Sequence, residues 1–190
     1  MRQIVDLAKS YRLLNHGPTI LVTSAHNGVS NVMAAAWAMP LDFSPAKMLV
    51  IIDKSTTTRG LIEASGEFAL NIPSRAQAKA TMEVGSVSGA GIDKFAAAGL
   101  KTFAASKIGA PLVEDCLGWV ECKVIPEPHN ESAYDMFIGE VVAAHADARV
   151  FQDGHWQHDA DHPLLRSIHY VAGGVFFETG DIFEVKDEAG

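Results

Sequence analysis

The chain has 190 residues, 48% of them apolar and 20% charged, a balance that excludes a disordered polymer. Its 15 Lys+Arg against 23 Asp+Glu leave a formal charge of −8, which argues against nucleic-acid and anionic-membrane partners, since phosphates demand a basic face. The length suits one domain over residues 1–190, and the longest apolar stretch, Val32 to Leu41, is far short of the ~20 residues of a bilayer span.

Ile4, Leu7, Tyr11 and Leu14 recur at helical spacing and predict a short amphipathic helix. This N-terminus has no continuous apolar core of the signal-peptide kind, so a cytoplasmic protein is expected. Thr19 to Ala25 reads as a strand, His26-Asn27-Gly28 as a hairpin turn, and Val29 opens a second strand, because Asn and Gly both accept φ > 0. Met48-Leu-Val-Ile-Ile52 has the length and apolarity of a strand buried on both faces. Lys54-Ser-Thr-Thr-Thr-Arg59 follows at once and leads into Leu61-Ile62-Glu63-Ala64, with Gly66 placed to end a helix.

Glu67 to Ile72 is a further strand stopped by Pro73, and Ser74-Arg-Ala-Gln77 has capping-box spacing ahead of a helix. The Gly- and Ser-rich run from Val84 to Gly91 predicts a flexible loop, and Asp93 to Ala98 one or two helical turns closed by Gly99. From Leu100 the pattern is strand after strand: Thr102–Ala105, Leu117–Ile125, Phe137–Ala144 and Tyr170–Phe177, with a turn at Asp153-Gly154. Many short strands without regular βα alternation predict a mainly β barrel or sandwich with helical insertions.

Two segments hold chemistry. Lys54 to Arg59 carries two cations and four hydroxyls where a strand hands over to a helix, and a helix N-terminus favours an anion. The same residues also suit a plain N-cap with solvated threonines, so both readings stand. Asn31-Val-Met-Ala-Ala-Ala-Trp-Ala-Met-Pro40 sets three alanines before Trp37 on a strand, where Ala is depleted. Small side chains let a flat ring approach the backbone, or let a helix pack on the wall.

Other chemistry is scarce. His155, His158 and His162 lie in a polar loop and read as solvated imidazoles, so no metal is expected. Cys116 and Cys122 are not in CxxC spacing and read as reduced, partly buried thiols. There is no G-x-S-x-G elbow, G-x-G-x-x-G or Walker A loop.

The order of segments resembles the flavin reductase-like family, from about Tyr11 to Glu184. The resemblance is carried by Gly17-Pro18-Thr19 to Thr23, Asn31-Val-Met-Ala-Ala-Ala-Trp37, Thr58 with Ile62, and Gly66-Glu-Phe-Ala-Leu-Asn71. Asp93-Lys94-Phe95, Trp119-Val-Glu-Cys122 and Phe137-Ile-Gly-Glu-Val141 complete it. It implies an FMN-binding split β-barrel of Greek-key type. It also implies a phosphate site at Lys54, Ser55, Thr58 and Arg59, with Met33, Ala34, Ala35, Ala36 and Trp37 facing the isoalloxazine ring. Asn31 and Asn71 are its secondary polar contacts. Ala34 stands where many relatives have Thr or Ser, and Tyr134 falls where reductases using NADH carry a motif His.

The expected function is an oxidoreductase passing electrons from NAD(P)H through FMN to an acceptor, as a homodimer. Its small-molecule partners are then flavin and nicotinamide. The alternative is a flavoredoxin-like FMN electron carrier reduced by a partner protein.

Overall fold

A computed structural model describes residues 17–89, 91–157 and 162–185. The N-terminal helix expected around Ile4 to Leu14 lies outside the described residues. Seven antiparallel strands form one sheet in the order β2-β1-β5-β8-β9-β4-β3. They are β1 (Ile20–His26), β2 (Val29–Ala35), β3 (Ala38–Phe43), β4 (Ala46–Ile51), β5 (Glu67–Ile72), β8 (Gly118–Ile125) and β9 (Met136–Ala146). Short pairs accompany the sheet: β6 (Thr102–Phe103) with β7 (Leu112–Val113), β10 (Phe151–Gln152) with β11 (His155–Trp156), and β12 (Ile168–Ala172) with β13 (Val175–Glu178).

Alternate side chains of these strands converge on one interior. Ile20, Val22, Val50, Ile52, Ile62, Phe68, Leu70, Cys122 and Phe137 are buried there, and Met33 and Ala38 from the two edge strands pack against the same cluster. Both ends of the sheet therefore curl round one core, the split barrel that the sequence leads one to expect. Each large apolar side chain so buried contributes roughly 1.5–3 kcal/mol by transfer from water. Gly139 is fixed by this packing, because a Cβ there would lie 2.6 Å from Phe68 Cζ and 2.8 Å from Cys122 Cβ.

A second apolar layer covers the outer face of β1 and β2. Leu21, Val32, Val84, Phe95, Val113 and Cys116 bury one another there. Val84 comes from α2 (Ala78–Ser86) and Phe95 from α3 (Lys94–Ala97). On the opposite side α1 (Thr57–Ser65) packs against β1 and β2.

Local chemistry explains the joints. Asn27 (φ 49°) and Gly28 (φ 79°) turn β1 into β2, with Ile20 opposite Ala35 and His26 opposite Val29. Gly66, at φ 71°, donates its N–H to Ile62 O at 2.8 Å and ends α1. Asp93 accepts from Ala96 N at 3.1 Å and starts α3.

The structure departs from expectation at four places, the first being β4, expected to be buried on both faces, in which only Val50 is buried. Tyr170–Phe177 is two strands rather than one, because Gly173 and Gly174, at φ 61° and 83°, make a hairpin of it. The run from Val84 begins as the last turn of α2, whose apolar Val84 is drawn into the outer core. Pro128–Tyr134 forms a helix, α4, between β8 and β9. Pro128 sits in its first turn, where a missing N–H is harmless, and Asp135 closes it at φ 56°.

Candidate functional site

The turn before α1 is built by its own side chains. Asp53 Oδ1 accepts from Ser55 N at 2.8 Å and Ser55 Oγ at 2.6 Å, bonds that hold its carboxyl below the usual carboxylate range. Thr56 is the N-cap, its Oγ1 donating to Asp53 O at 2.8 Å and accepting from Arg59 N at 3.3 Å. Ser55, Thr56, Thr57 and Thr58 then form one wall of a cleft of about 270 Å³. Asn31 and Met33 of β2 form its floor, and residues 84–89 at the end of α2 its far wall. Asn31 Nδ2 donates to Thr58 Oγ1 at 2.9 Å, locking the floor to the helix. Gly89 has no room for a side chain, since a Cβ would lie 2.5 Å from Asn31 Oδ1.

Among the described residues the cation of this cleft is Lys94, which is 5% exposed. Its ammonium donates to Val32 O at 3.0 Å and Val84 O at 2.6 Å, and burial lowers its proton affinity. An ammonium has three donors, so one remains beyond these two carbonyls. The polar cleft thus offers a helix N-terminus, hydroxyls and a desolvated cation to an anion.

Beyond Met33 the cleft continues along the alanines. Ala34, Ala35, Ala36 and Trp37 line a wider, open cleft of about 530 Å³, walled by Tyr134 from α4 and Tyr170 from β12. On the α2 side the same alanines line a smaller cavity with Thr19 and Thr81. Thr81 is 1% exposed and its Oγ1 has no hydrogen-bond partner among the described residues. Such an orphaned hydroxyl costs free energy unless a bound group or water meets it. A planar, polar-edged molecule with an anionic tail fits this wall of small residues, orphan hydroxyl and cationic end.

The sequence-derived candidates fall into two sets. Asn31, Met33, Ala34, Ala35, Ala36, Trp37, Ser55 and Thr58 line the connected clefts. Arg59 does not: it is 6% exposed, and its guanidinium turns away from the polar cleft toward α4. It donates to Glu63 Oε1 at 2.7 Å, Ile52 O at 3.1 Å, Asp135 Oδ1 at 2.6 Å and Glu131 O at 2.7 Å. Burial opposes its charge, but Glu63 and Asp135 more than offset that and raise its proton affinity. Asn71 is fully buried inside the sheet, bonded to Leu21 O, Thr23 Oγ1 and Val113 N, and braces β1 against β7. Lys54 is 60% exposed at its side chain and donates to Ser132 O at 2.6 Å, at the end of α4.

Lys94, Thr56, Thr57, Gly85, Gly89 and Tyr170 complete the clefts and were not among those candidates. Lys94 had a signal, a lone cation beside Phe95 on a short helical segment, where burial of its stem is forced. Nothing in the sequence places Tyr170 near Trp37, because β12 is over 100 positions away. Other reactive groups are spent structurally. Burial pushes Cys122 up to about 12 and Cys116 up as well, so neither thiol is a nucleophile. Glu121, fully buried, accepts from Ser106 N and Oγ at 2.9 Å and from Lys107 N at 2.7 Å. Among the described residues no three metal-ligating side chains cluster; His158 lies outside them.

Comparisons with known proteins find the same fold. A family model for the flavin reductase like domain matches residues 11–165. The uncharacterized protein YddH of Escherichia coli (strain K12) is 45% identical over 179 residues, 93% of this chain and 94% of that one. A crystal structure of an FMN-binding domain of a flavin reductases-like enzyme from Shewanella baltica OS155 superposes with a TM-score of 0.87 at 48% identity, covering 96% of each chain. Flavoredoxin of Desulfovibrio vulgaris (Miyazaki F) superposes with a TM-score of 0.78 at 27% identity, covering 91% of this chain and 92% of that one.

Proposed function

The chain belongs to the flavin reductase-like family, and on that premise we propose that it binds FMN along β2 and passes electrons from NAD(P)H through the flavin to an acceptor. The observation that carries this reading is the meeting, in one cleft, of the α1 N-terminus and buried Lys94 with the small-residue wall Ala34–Ala36. The phosphate is held by Ser55, Thr58, the α1 N–H groups and Lys94. Lys54 reaches it by leaving Ser132 O, since its side chain is mostly exposed. The backbone from Met33 to Trp37 meets the ring edge, with the Thr81 hydroxyl behind it.

Bound FMN supplies hydride acceptance and onward electron transfer, chemistry that belongs to the cofactor. The protein's residues bind, orient and exclude water. Trp37, Tyr134 and Tyr170 shield the cleft, and Lys94 and the helix terminus favour negative charge near it. Asn31 and Asn71 act one layer back, the first through Thr58 and the second through the sheet. We place the protein in the cytoplasm as a homodimer, the edge strand β3 exposing Met39, Leu41 and Phe43 (93%) for a second copy to cover. No described helix is long and apolar enough to cross a membrane.

Tyr134, standing in place of the motif His, supports a second reading, an FMN electron carrier reduced by a partner protein. One experiment separates the two. Protein purified after FMN addition is expected to be yellow, and anaerobic mixing with NADH or NADPH is expected to bleach it within seconds. Bleaching by neither donor, with prompt bleaching by dithionite, establishes the carrier; failure to take up FMN sinks both. Light scattering at micromolar concentration is expected to give twice the 20.3 kDa chain mass.

A further inference from the structure

The charges around the open cleft are arranged in a way that flavin binding alone does not require. Trp37, Tyr134 and Tyr170 give it aromatic walls, and among the described residues its only ionisable acids or bases besides the tyrosines are Asp53 and Asp135. Asp135 is neutralised from behind, by Arg59 at 2.6 Å and Lys54 at 3.8 Å. Asp53 has no cation within ion-pair distance among the described residues; its partners are the Ser55 N–H and hydroxyl. Both nearby cations face α4 instead of the cleft, Lys54 on Ser132 O and Arg59 on Glu131 O. An anion entering here meets a carboxylate, while the two nearby cations among the described residues are engaged elsewhere, Arg59 on α4 and Lys54 on α4 or, once FMN is bound, on its phosphate. A flat uncharged molecule meets aromatic faces, against which stacking is favourable.

We propose that this cleft admits uncharged planar electron acceptors (quinones, nitroarenes and conjugated carbonyls) and discriminates against their carboxylated or sulfonated counterparts, with Asp53 as the discriminating residue. The proposal rests on the reading of the cleft as a flavin site and names the acceptor class of that site. A quinone leaves as its hydroquinone, having taken one hydride equivalent, delivered from NAD(P)H by way of the flavin, and one proton from solvent. The nicotinamide ring of the reduced donor is itself uncharged and obeys the same rule.

The test uses the FMN-loaded protein, with loading read from the visible flavin band, titrated with 4-nitrobenzamide and 4-nitrobenzoate at low salt. These probes differ in one charge at nearly constant shape, and binding is followed as a shift of the flavin band. The carboxylate is expected to bind about fourfold more weakly, the scale of one like-charge contact at an exposed site, with the gap closing as salt is raised. Asp53→Asn, which retains the carbonyl oxygen for Ser55, is expected to reduce the gap to about twofold or less. Equal or tighter binding of nitrobenzoate, an unchanged gap in Asp53→Asn, or binding of neither probe by yellow protein overturns the acceptor assignment. Protein that stays colourless after FMN addition overturns the flavin site beneath it as well.

Discussion

Two segments of this chain carry cations near the same cleft, and they are used in opposite ways. Lys54 to Arg59 is the densest polar stretch in the sequence, yet both of its cations end on α4. Lys54 takes the carbonyl of Ser132, and Arg59 takes that of Glu131 together with the Asp135 carboxylate. Asp93-Lys94-Phe95 has a single cation, and it is this one whose ammonium is buried in the cleft wall between Val32 O and Val84 O. The difference is which helix end lies nearby. Carbonyls at the C-terminal end of α4 are unsatisfied acceptors at the negative pole of a helix, and they capture whatever cation is within reach. Charge density along a chain is therefore a poor guide to charge density at a site.

The strongest way to break this contrast is Arg59→Leu. If the guanidinium is structural, its loss leaves Asp135 with only the longer contact to Lys54 at 3.8 Å and takes this donor from the Ile52 and Glu131 carbonyls. Removing one partner of a largely buried pair costs ~3 kcal/mol, slightly discounted because the Asp135 side chain is 25% exposed. For a chain of this size that lowers Tm by roughly 5–10 °C. Thermal unfolding of the apo variant is expected to show the drop, and FMN affinity is expected to fall only as far as α4 loosens. A variant that melts with the parent but has lost FMN would return Arg59 to the phosphate.

Lys94→Met sharpens the other half. It removes the only buried cation lining the polar cleft among the described residues, so the FMN dissociation constant measured by fluorescence quenching is expected to rise tenfold or more. Stability at neutral pH is expected to stay within ~1 kcal/mol, because two lost hydrogen bonds are offset by no longer burying a charge. The pH dependence separates these opposing effects. Burial lowers the folded-state pKa of Lys94 below its unfolded value, so protonation favours the unfolded chain. The penalty is complete below the folded pKa and disappears as pH rises from there to the unfolded value near 10.5. Apo parent protein is therefore expected to gain stability over that alkaline interval relative to Lys94→Met. Parallel urea-unfolding curves for the two across it would show that the ammonium is not desolvated.

Much of this arrangement is written locally, and what is not has a physical reason. Asn27-Gly28, Gly66 and Asp93 act within a few residues of themselves, and the joints they make are legible in the sequence. Ser55 and Thr58 lie together where β4 runs into α1, so their gathering is local, whereas the alanines reach them through β2, whose Asn31 bonds Thr58. The partners of Arg59 are not legible in the sequence, because Glu131 and Asp135 sit at a helix more than 70 positions away that Pro128 at its start and few apolar residues leave without a periodic signal. Tyr170 joins the clefts by tertiary packing alone, and for Lys94 only the burial beside Phe95 is local. The Gly173-Gly174 hairpin was in plain view, but a single apolar strand also satisfies the residues around it.

Lys54→Ala is the smallest expected effect and decides how far the two segments really differ. Its ammonium has two possible anchors, the Ser132 carbonyl it holds in this structure and an anion at the α1 N-terminus. Only the second predicts a loss of ligand. Because the side chain is 60% exposed, the bond to Ser132 competes with water, and exposed charge contacts are typically worth less than ~1 kcal/mol. The melting temperature of apo Lys54→Ala is therefore expected to stay within ~2 °C of the parent. FMN affinity is expected to fall several-fold at low salt, and less at high salt as screening weakens the contact in the parent. A Tm drop comparable to that of Arg59→Leu, with FMN affinity intact, would make Lys54 a second brace for α4. Lys94 would then be the one cation that serves the cleft.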